Sequence, residues 1–262
     1  ERQGWWNSDG IVTALSGGGD SVALLWLLKK FYKGRIVAAH LDHCTREGVS
    51  HEDAEFSKNL CRDWEIKCSV KVVDVHAERI GGESFEMAGR RERYRHFAET
   101  AAREGLHFIS VGHSADDLVE TQLMNLFRGS GLTGLRGIPE VRENIVRPII
   151  DFRRTELREM LRANGVSWRE DASNTDTIYA RNRVREELIP WIRKNLNPNF
   201  EVSMLGLAHQ IDAELAERAV MSSAQIASRL LVIAPAEAAW NVRELYLVSD
   251  LVLAEMLRLQ GE

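Results

Sequence analysis

Short β-rich runs alternate with longer helical patterns from Ile11 to Ile149, and this alternation constrains the fold more than any other feature of the sequence. Strand–helix–strand units set their strands side by side in one direction through right-handed crossovers. We therefore predict an α/β fold, a parallel sheet with helices on both faces. The predicted strands are Ile11–Leu15, Arg35–Leu41, Lys67–Val73, His107–Gly112 and Ile145–Ile149, and the predicted helices are Ser21–Phe31, His51–Trp64, Glu83–Glu104 and Ala115–Phe127.

Beyond Arg153 the pattern becomes helical, which divides the chain in two. We predict a catalytic domain over residues 1–195 and a helical C-terminal region over residues 196–262. Because the chain starts with Glu1 rather than Met, and because this start is not an apolar leader, we expect a trimmed or shortened chain without a secretory signal. The predicted helices are Thr155–Asn164, Ala180–Lys194, Phe200–Arg229 and Leu245–Gln260.

Composition narrows the class of protein. The net charge of −5 gives no general support for nucleic-acid binding, so any RNA contact must come from local basic patches. The three cysteines, Cys44, Cys61 and Cys68, form no CxxC pair, and their odd number in a chain of this length predicts free thiols in the cytoplasm. The sequence contains no long uncharged apolar run, so we expect no membrane span.

The turn after the first predicted strand reads Ser16-Gly17-Gly18-Gly19-Asp20-Ser21 and opens a helix. Glycines permit close backbone approach, and a helix N-terminus presents free N–H groups to an anion. A plain capped turn has the same composition. No Lys follows as in a Walker A loop, and the dinucleotide pattern fails at Val22, although Asp42 could have served as its ribose ligand. Asp20 would repel phosphate unless a divalent cation lies between them, which favours Mg-ATP.

A second motif runs from His113 to Thr121 (HSADDLVET), after the fourth predicted strand. Acidic residues at a helix N-terminus are favourable without any function, and Ser114 would cap the same helix. His113 and Asp117 are four residues apart and could share a face. Parallel strands end at one edge of the sheet, so this turn and the glycine-rich turn should meet there. A capped acidic helix remains the simpler interpretation of the spacing alone, and the role of Glu120 is undecided.

The long helix Glu83–Glu104 is rich in arginine. Its simplest interpretation is a solvated helix with a Glu86–Arg90 ion pair at the favourable spacing. The Gly-rich connection at residues 128–137 has an equally simple interpretation as a flexible loop.

The segment from Trp168 to Pro190 ends in an amphipathic helix with Arg181 and Arg185 on its polar side. A solvated basic face is the ordinary explanation of such a pattern. The segment also carries Asp171, Ser173, Asn174, Asp176 and Tyr179 in close succession.

Taken in order, these motifs resemble those of PP-loop (N-type) ATP pyrophosphatases from Ile11 to Asn195. SGGGDS is similar to their SGGxDS signature, and residues 113–121 are similar to their HxxDDxxET motif. The E-S-x-E helix with Arg93, the RGSGLxGLxG loop at residues 128–137 and Arg147-Pro148 match further segments. The W-x-x-D-x-S-N-x-D…R-N-x-x-R-x-x-x-x-P pattern resembles the signature that separates the tRNA(Ile)-lysidine synthetases from the rest of this superfamily.

The resemblance implies an ATP-dependent carbon–nitrogen ligase. Its substrates would be ATP with Mg²⁺, free L-lysine and isoleucine tRNA with a CAU anticodon, and a homodimer is one option for its assembly. ATP would adenylate the C2 oxygen of the wobble cytidine, and the lysine amine would then displace AMP, which changes codon recognition from AUG to AUA. Ser16, Gly17, Gly18, Gly19, Asp20 and Ser21 would hold the nucleotide, Asp20 would hold Mg²⁺, and the catalytic set would be Asp20, Arg93, His113, Asp117 and Arg185.

The sequence departs from the family pattern at two places, and three other functions are considered beside the ligase. Cys44 and Thr45 stand where the family has Gly and Leu, which puts the loop after the second strand in doubt, and the C-terminal end is short. Another PP-loop ligase or a tRNA thiolase is the nearest alternative, although many thiolases carry CxxC pairs. A tRNA-binding module without catalysis and a Rossmann dehydrogenase are the others.

Overall fold

A six-stranded sheet organises the computed structural model, which describes residues 4–44, 49–170, 180–234 and 237–240. Its strand order is β3-β2-β1-β4-β6-β5, and every neighbouring pair is parallel except β5 with β6. The strands are β1 (Gly10–Ala14), β2 (Arg35–Asp42), β3 (Lys67–Val72), β4 (Phe108–Ser110), β5 (Val141–Arg142) and β6 (Ile145–Val146).

Helices cover both faces of this sheet. Side chains alternate along a strand, so neighbours in β1 face opposite ways. Ile11 packs into the core cluster that contains Leu24 and Leu157, whereas Val12 packs into the cluster that contains Phe97. The predicted α/β fold is therefore confirmed. The helices of this half are α1 (Gly19–Phe31), α2 (Val49–Asp63), α3 (Phe85–Glu104), α4 (Ala115–Phe127), the short α5 (Leu132–Leu135) and α6 (Arg154–Ala163).

The chain is mainly helical from Ala180 to Arg229, with one irregularity that was not predicted from the sequence. α7 (Ala180–Arg183) and α8 (Ile189–Asn195) are joined by a π-helical turn, Val184–Leu188, in which the Ile189 N–H donates to the Val184 carbonyl. Pro190 explains the wider turn, because proline has no N–H to give to the carbonyl four residues earlier. The long α9 (Phe200–Arg229) follows as predicted.

A hairpin of β7 (Leu230–Ala234) and β8 (Glu237–Trp240) comes after α9. It was not predicted, since we expected only helices in this region. The predicted helix Leu245–Gln260 lies outside the described residues. None of the described helices is long and apolar enough to cross a membrane, and Cys44, Cys61 and Cys68 are free thiols, as predicted.

Candidate active site

The glycine-rich turn folds around its two serines. Ser21 Oγ donates to the Gly18 carbonyl at 2.9 Å and accepts the Ser16 N–H at 3.1 Å. Ser16 Oγ lies 3.0 Å from Ser21 Oγ. Gly17 has a φ of 90°, a left-handed conformation that favours glycine. Ser21 therefore stabilises the turn from inside, and the exposed Ser16 is the serine that a ligand can reach.

The N-terminus of α1 is open in the way an anion site requires. Its N-cap is Gly18, which has no side chain to satisfy the first N–H groups of the helix. In the described ranges, the N–H groups of Asp20 and Ser21 have no protein acceptor, whereas Gly19 follows the bridge that pairs Gly18 with Arg169. These groups and the helix dipole favour a phosphate at the turn.

Gly112 brings the second motif against this turn. A Cβ at Gly112 would lie 3.2 Å from the backbone carbonyl of Asp20 and 3.2 Å from the Ser21 Cα. Because these atoms are backbone, the added methyl group could fit only if the two turns moved apart. The sequence prediction that the two turns meet at one edge of the sheet is correct in this structure.

We expect Gly112→Ala to weaken ATP turnover about 10- to 100-fold, because a displacement of well under 1 Å at a phosphate cradle is costly. The loss of stability should be about 1–2 kcal/mol. Gly131→Ala is the matched control, since a Cβ there meets no atom within 4 Å. Steady-state AMP release and urea unfolding measure both effects, and equal activities for the two variants would contradict the packing argument.

A charged cluster links Asp20 to the HSADDLVET motif through Arg154, the first residue of α6. Its guanidinium donates to Asp20 at 3.2 Å, to Asp117 at 2.6 Å and to Glu120 at 2.9 Å. The Arg154 side chain is 17% exposed and the Glu120 side chain only 1%. Arg154 was not singled out from the sequence, yet it is the residue that joins the two motifs.

The helical segment that begins at Ala180 adds two arginines, Arg181 and Arg185, to the same cluster. Arg181 donates to Glu120 at 2.7 Å and lies 3.2 Å from the Asp117 carboxylate. Arg185, on the π-helical turn, donates to both oxygens of Glu120 at 2.6 and 2.9 Å. These two arginines thus compensate the charge of buried carboxylates, and a solvated basic face is not their environment. Glu120, undecided from the sequence, is the most buried member of the set.

Asp20 and Asp117 differ in how their surroundings shift the pKa of the carboxyl group. Burial raises the pKa of Asp20 to about 6, and Arg154 only partly opposes it. Burial would also raise the pKa of Asp117, but Arg154 and Arg181 hold that pKa below its usual value. Asp117 is therefore firmly ionised near pH 7, whereas Asp20 is held in an environment that penalises its negative charge.

The other predicted residues have different environments. His113 precedes α4, so the argument that it shares a helix face with Asp117 was wrong; Asp117 instead accepts hydrogen bonds from the Ser114 N–H and hydroxyl. The exposed Arg93 has its Nη2 3.4 Å from His43 Nε2. The expected Glu86–Arg90 ion pair is not formed within the described chain. Arg90 stacks on Tyr94 instead, with 5.0 Å between guanidinium and ring centroid.

Residues 168–170 are joined to the glycine-rich turn. The Arg169 N–H donates to the Gly17 carbonyl at 2.9 Å, and a Cβ at Gly19 would lie 3.4 Å from the Trp168 ring. Asp171, Ser173, Asn174, Asp176 and Tyr179 lie outside the described residues. The loop at residues 128–137 is held more firmly than predicted, because Gln122 and Asn125 donate to its carbonyls at 2.9 and 2.8 Å.

An open cavity of about 320 Å³ lies beside the cluster, between α3, α4 and α7. Its walls include Glu86, Thr121, Met124 and Arg181. Arg181 lines the cavity and also donates to Glu120 at 2.7 Å, so the cavity adjoins the charged cluster. In the described part of the chain, no group of three or more His, Cys, Asp or Glu side chains is placed to hold a metal by itself.

Comparison with known proteins identifies the class that this fold and phosphate turn define. Residues 5–192 match the family model described as the PP-loop domain, so the chain belongs to the PP-loop family. The fold is similar to that of a solved structure, the U34-tRNA thiolase NcsA from Methanococcus maripaludis. That structure aligns with a TM-score of 0.62 at 16% identity, over 80% of this chain and 76% of the thiolase.

Among curated proteins, the similar relatives are tRNA(Ile)-lysidine synthases. The enzyme of Clostridium perfringens is 39% identical over 216 residues, which are 80% of this chain and 46% of the relative. The enzyme of Thermotoga maritima is 39% identical over 73% of this chain and 47% of its own length. That of Porphyromonas gingivalis is 40% identical over 74% and 43%. The chain therefore spans about half the length of the curated relatives it matches.

Proposed function

We propose that this chain carries the catalytic part of a lysidine-forming ligase. ATP would adenylate the C2 oxygen of the wobble cytidine in CAU-anticodon isoleucine tRNA, and free L-lysine would then displace AMP at C2. The single observation that carries the proposal is the contact of Arg181 and Arg185 with Glu120 and Asp117. Through this contact, the segment that resembles the lysidine synthetase signature belongs to the same site as the phosphate turn.

The nucleotide would lie on the glycine-rich turn. We assign the phosphates to the Ser16 hydroxyl and to the backbone N–H groups of Gly17, Gly18, Gly19 and Asp20, with Ser21 shaping the turn. Magnesium fits Asp20, because Mg²⁺ in such sites is held by one or two carboxylates together with substrate phosphates. When bound, Mg²⁺ would neutralise charge on the leaving pyrophosphate.

Lysine would enter the cavity whose wall includes Arg181, a partner of Asp117. A firmly ionised carboxylate suits recognition of a cationic amine better than abstraction of a proton, because its low pKa makes it a weak base. The apolar side chain of Met124 and the carboxylate of Glu86 on the cavity wall fit the aliphatic stem and an ammonium group. Arg185 would position Glu120, and we propose that the exposed Arg93 binds a phosphate of the tRNA.

We expect Asp117→Asn to lower lysidine formation by at least about 100-fold, because the neutral amide removes the charge that would attract the amine. It should raise the lysine KM more than the ATP KM. Asp151→Asn serves as control, because Asp151 is an exposed carboxylate paired only with His209 in the described structure. Lysine titrations of tRNA-dependent AMP release measure this, and an unchanged lysine KM would remove Asp117 from the lysine site.

We propose that the catalytic domain extends over residues 1–195 and the C-terminal region over residues 196–262, that the enzyme works in the cytoplasm, and that it forms a homodimer. A tRNA thiolase is less well supported, because Cys61 is buried in the core and, within the described ranges, no hydrogen bond joins a cysteine to the charged cluster.

The test measures AMP and pyrophosphate release from ATP with and without lysine and CAU-anticodon isoleucine tRNA. Release that requires both substrates supports a ligase. Release that requires tRNA but ignores lysine would move the second substrate to another nucleophile. Absence of release in every combination, with RNA binding retained, would favour the non-catalytic module.

A further inference from the structure

Arg147 is a buried arginine with an unusual set of partners. It is only 5% exposed, and no carboxylate of the described chain lies within ion-pair distance of it. Its Nη1 donates to the Pro139 carbonyl at 2.8 Å, and its Nε donates to His113 Nδ1 at 3.3 Å. Buried arginines are normally paired with an acid, so this environment calls for a physical explanation.

The sheet places Arg147 next to His113. β4 and β6 pair with Ser110 opposite Val146, and the Val111 N–H donates to the Val146 carbonyl at 3.0 Å. Arg147 directly follows Val146, and His113 lies two residues beyond Val111. The backbone N–H of Arg147 donates to the Glu140 carbonyl at 2.8 Å, which fixes its main chain. The pair is therefore held by strand register and does not depend on a flexible loop.

The chemistry of the pair decides which imidazole nitrogen carries a proton. A guanidinium has only donors and stays protonated, so its partner nitrogen must be an acceptor. His113 Nδ1 consequently has no hydrogen, and the neutral ring carries its proton on Nε2. An imidazolium would set an N–H against the Arg147 N–H. Among the described residues, Nε2 of His113 has no hydrogen-bond acceptor.

The charges around His113 favour the same state. Burial is the main cause that lowers the pKa of His113 to about 4, and the positive charges of Arg147 after β6, Arg181 on α7 and Arg90 on α3 contribute to this value. Asp117 on α4 opposes them. The ring is accordingly neutral over the whole range in which a cytoplasmic enzyme works.

We propose that Arg147 is a positioning residue that fixes His113 as a neutral hydrogen-bond donor through Nε2, directed at an oxygen of the substrate that gains negative charge. The ligand class is a phosphoryl oxygen or the activated oxygen of a base, and this identification rests on the proposed function. A general-base role for His113 is excluded, because one nitrogen is engaged by Arg147 and the other already carries hydrogen.

The first test is independent of activity. Long-range ¹H–¹⁵N spectra of the full chain distinguish the two tautomers, and the signal of His113 is assigned by its absence in His113→Gln. We expect an acceptor-type Nδ1, a protonated Nε2 and no titration from pH 8 down to pH 5.5. In Arg147→Met the pKa of His113 should rise, because one of the positive charges that lower it is removed. A wild-type His113 that titrates between pH 6 and 7, or that carries its proton on Nδ1, would overturn the proposal.

The second test uses kinetics. We expect Arg147→Met to lower kcat for AMP release about 10- to 100-fold with the ATP KM within about 3-fold, and to add an acidic limb to the pH profile. His113→Gln, whose amide can donate near the position of Nε2, should retain more activity than His113→Asn. Equal losses in these two variants would contradict the donor role. If turnover is absent in wild type while the spectra agree, the proposed function fails and the fixed tautomer stands.

Discussion

Replacing Arg154 by methionine is expected to destabilise the protein by about 3 kcal/mol and to abolish AMP-forming turnover. The guanidinium is the one group that contacts Asp20, Asp117 and Glu120 together in the described structure. Without it, Glu120 stays buried with two arginines, whereas Asp20 loses the cation that opposes its burial. Removing one partner of a buried ion pair typically costs about 3–5 kcal/mol, because the remaining charge is left uncompensated.

The loss of folding stability in Arg154→Met should depend on pH in a defined direction. Loss of Arg154 raises the folded-state pKa of the carboxylates, so the deficit is full at pH 8 and shrinks as falling pH protonates them. Arg158→Met is the matched control one turn along α6, because Arg158 pairs at 3.5 Å with the largely exposed Glu170 and should lose less than about 1 kcal/mol. Urea unfolding at pH 5.5 and pH 8 measures both. Similar losses for the two variants would refute the bridging role.

Replacing Asp20 by asparagine is expected to have opposite effects on activity and stability. Turnover should fall at least about 1,000-fold, because the proposed magnesium ligand and its charge are lost. Stability above pH 6 should rise by about 1 kcal/mol. A folded pKa of about 6 in place of 3.8 corresponds to at most about 3 kcal/mol of unfavourable charge burial, a net figure that already includes the opposing contact with Arg154.

The pH dependence of stability shows whether burial of the Asp20 charge causes the gain. Since the folded pKa of Asp20 lies above its unfolded value, the penalty is absent below about pH 4, grows between pH 4 and 6, and is constant above. The stability difference between Asp20→Asn and wild type should follow the same course. Asp63→Asn, an exposed position on α2, should show no such course. A variant that is less stable than wild type at pH 8 would mean that the Arg154 contact outweighs burial.

The order of elements was predictable because hydrophobic periodicity and turn residues act locally. α4 was predicted residue for residue, and the ends of β1 and β3 were within one residue. The π-helical turn was missed because it depends on how Pro190 is accommodated inside a packed helix. The hairpin after α9 was missed because its sequence, Leu230–Trp240, is rich in alanine and helical residues. The doubt about the loop at Cys44 has a physical basis, since Cys44 has a φ of 50° where glycine would be unstrained.

Site residues could be predicted from the sequence only where they belong to a local sequence motif. The glycine-rich turn and the HSADDLVET segment were selected from local patterns, and their meeting at Gly112 followed from parallel strands. Arg154 lies 134 residues from its partner Asp20, so no spacing argument could connect them. A signal was present, however: an arginine at the first position of a helix opposes the helix dipole, and such a local conflict marks a residue held by tertiary contacts.

The most direct measurement of the central claim is the mass of the wobble nucleoside after incubation of the full chain with ATP, Mg²⁺, lysine and CAU-anticodon isoleucine tRNA. We predict that the wobble cytidine gains lysine with loss of water, that the product requires ATP, and that Asp20→Asn yields none. AMP release accompanied by an unmodified wobble cytidine, or by a thiolated nucleoside, would contradict the account.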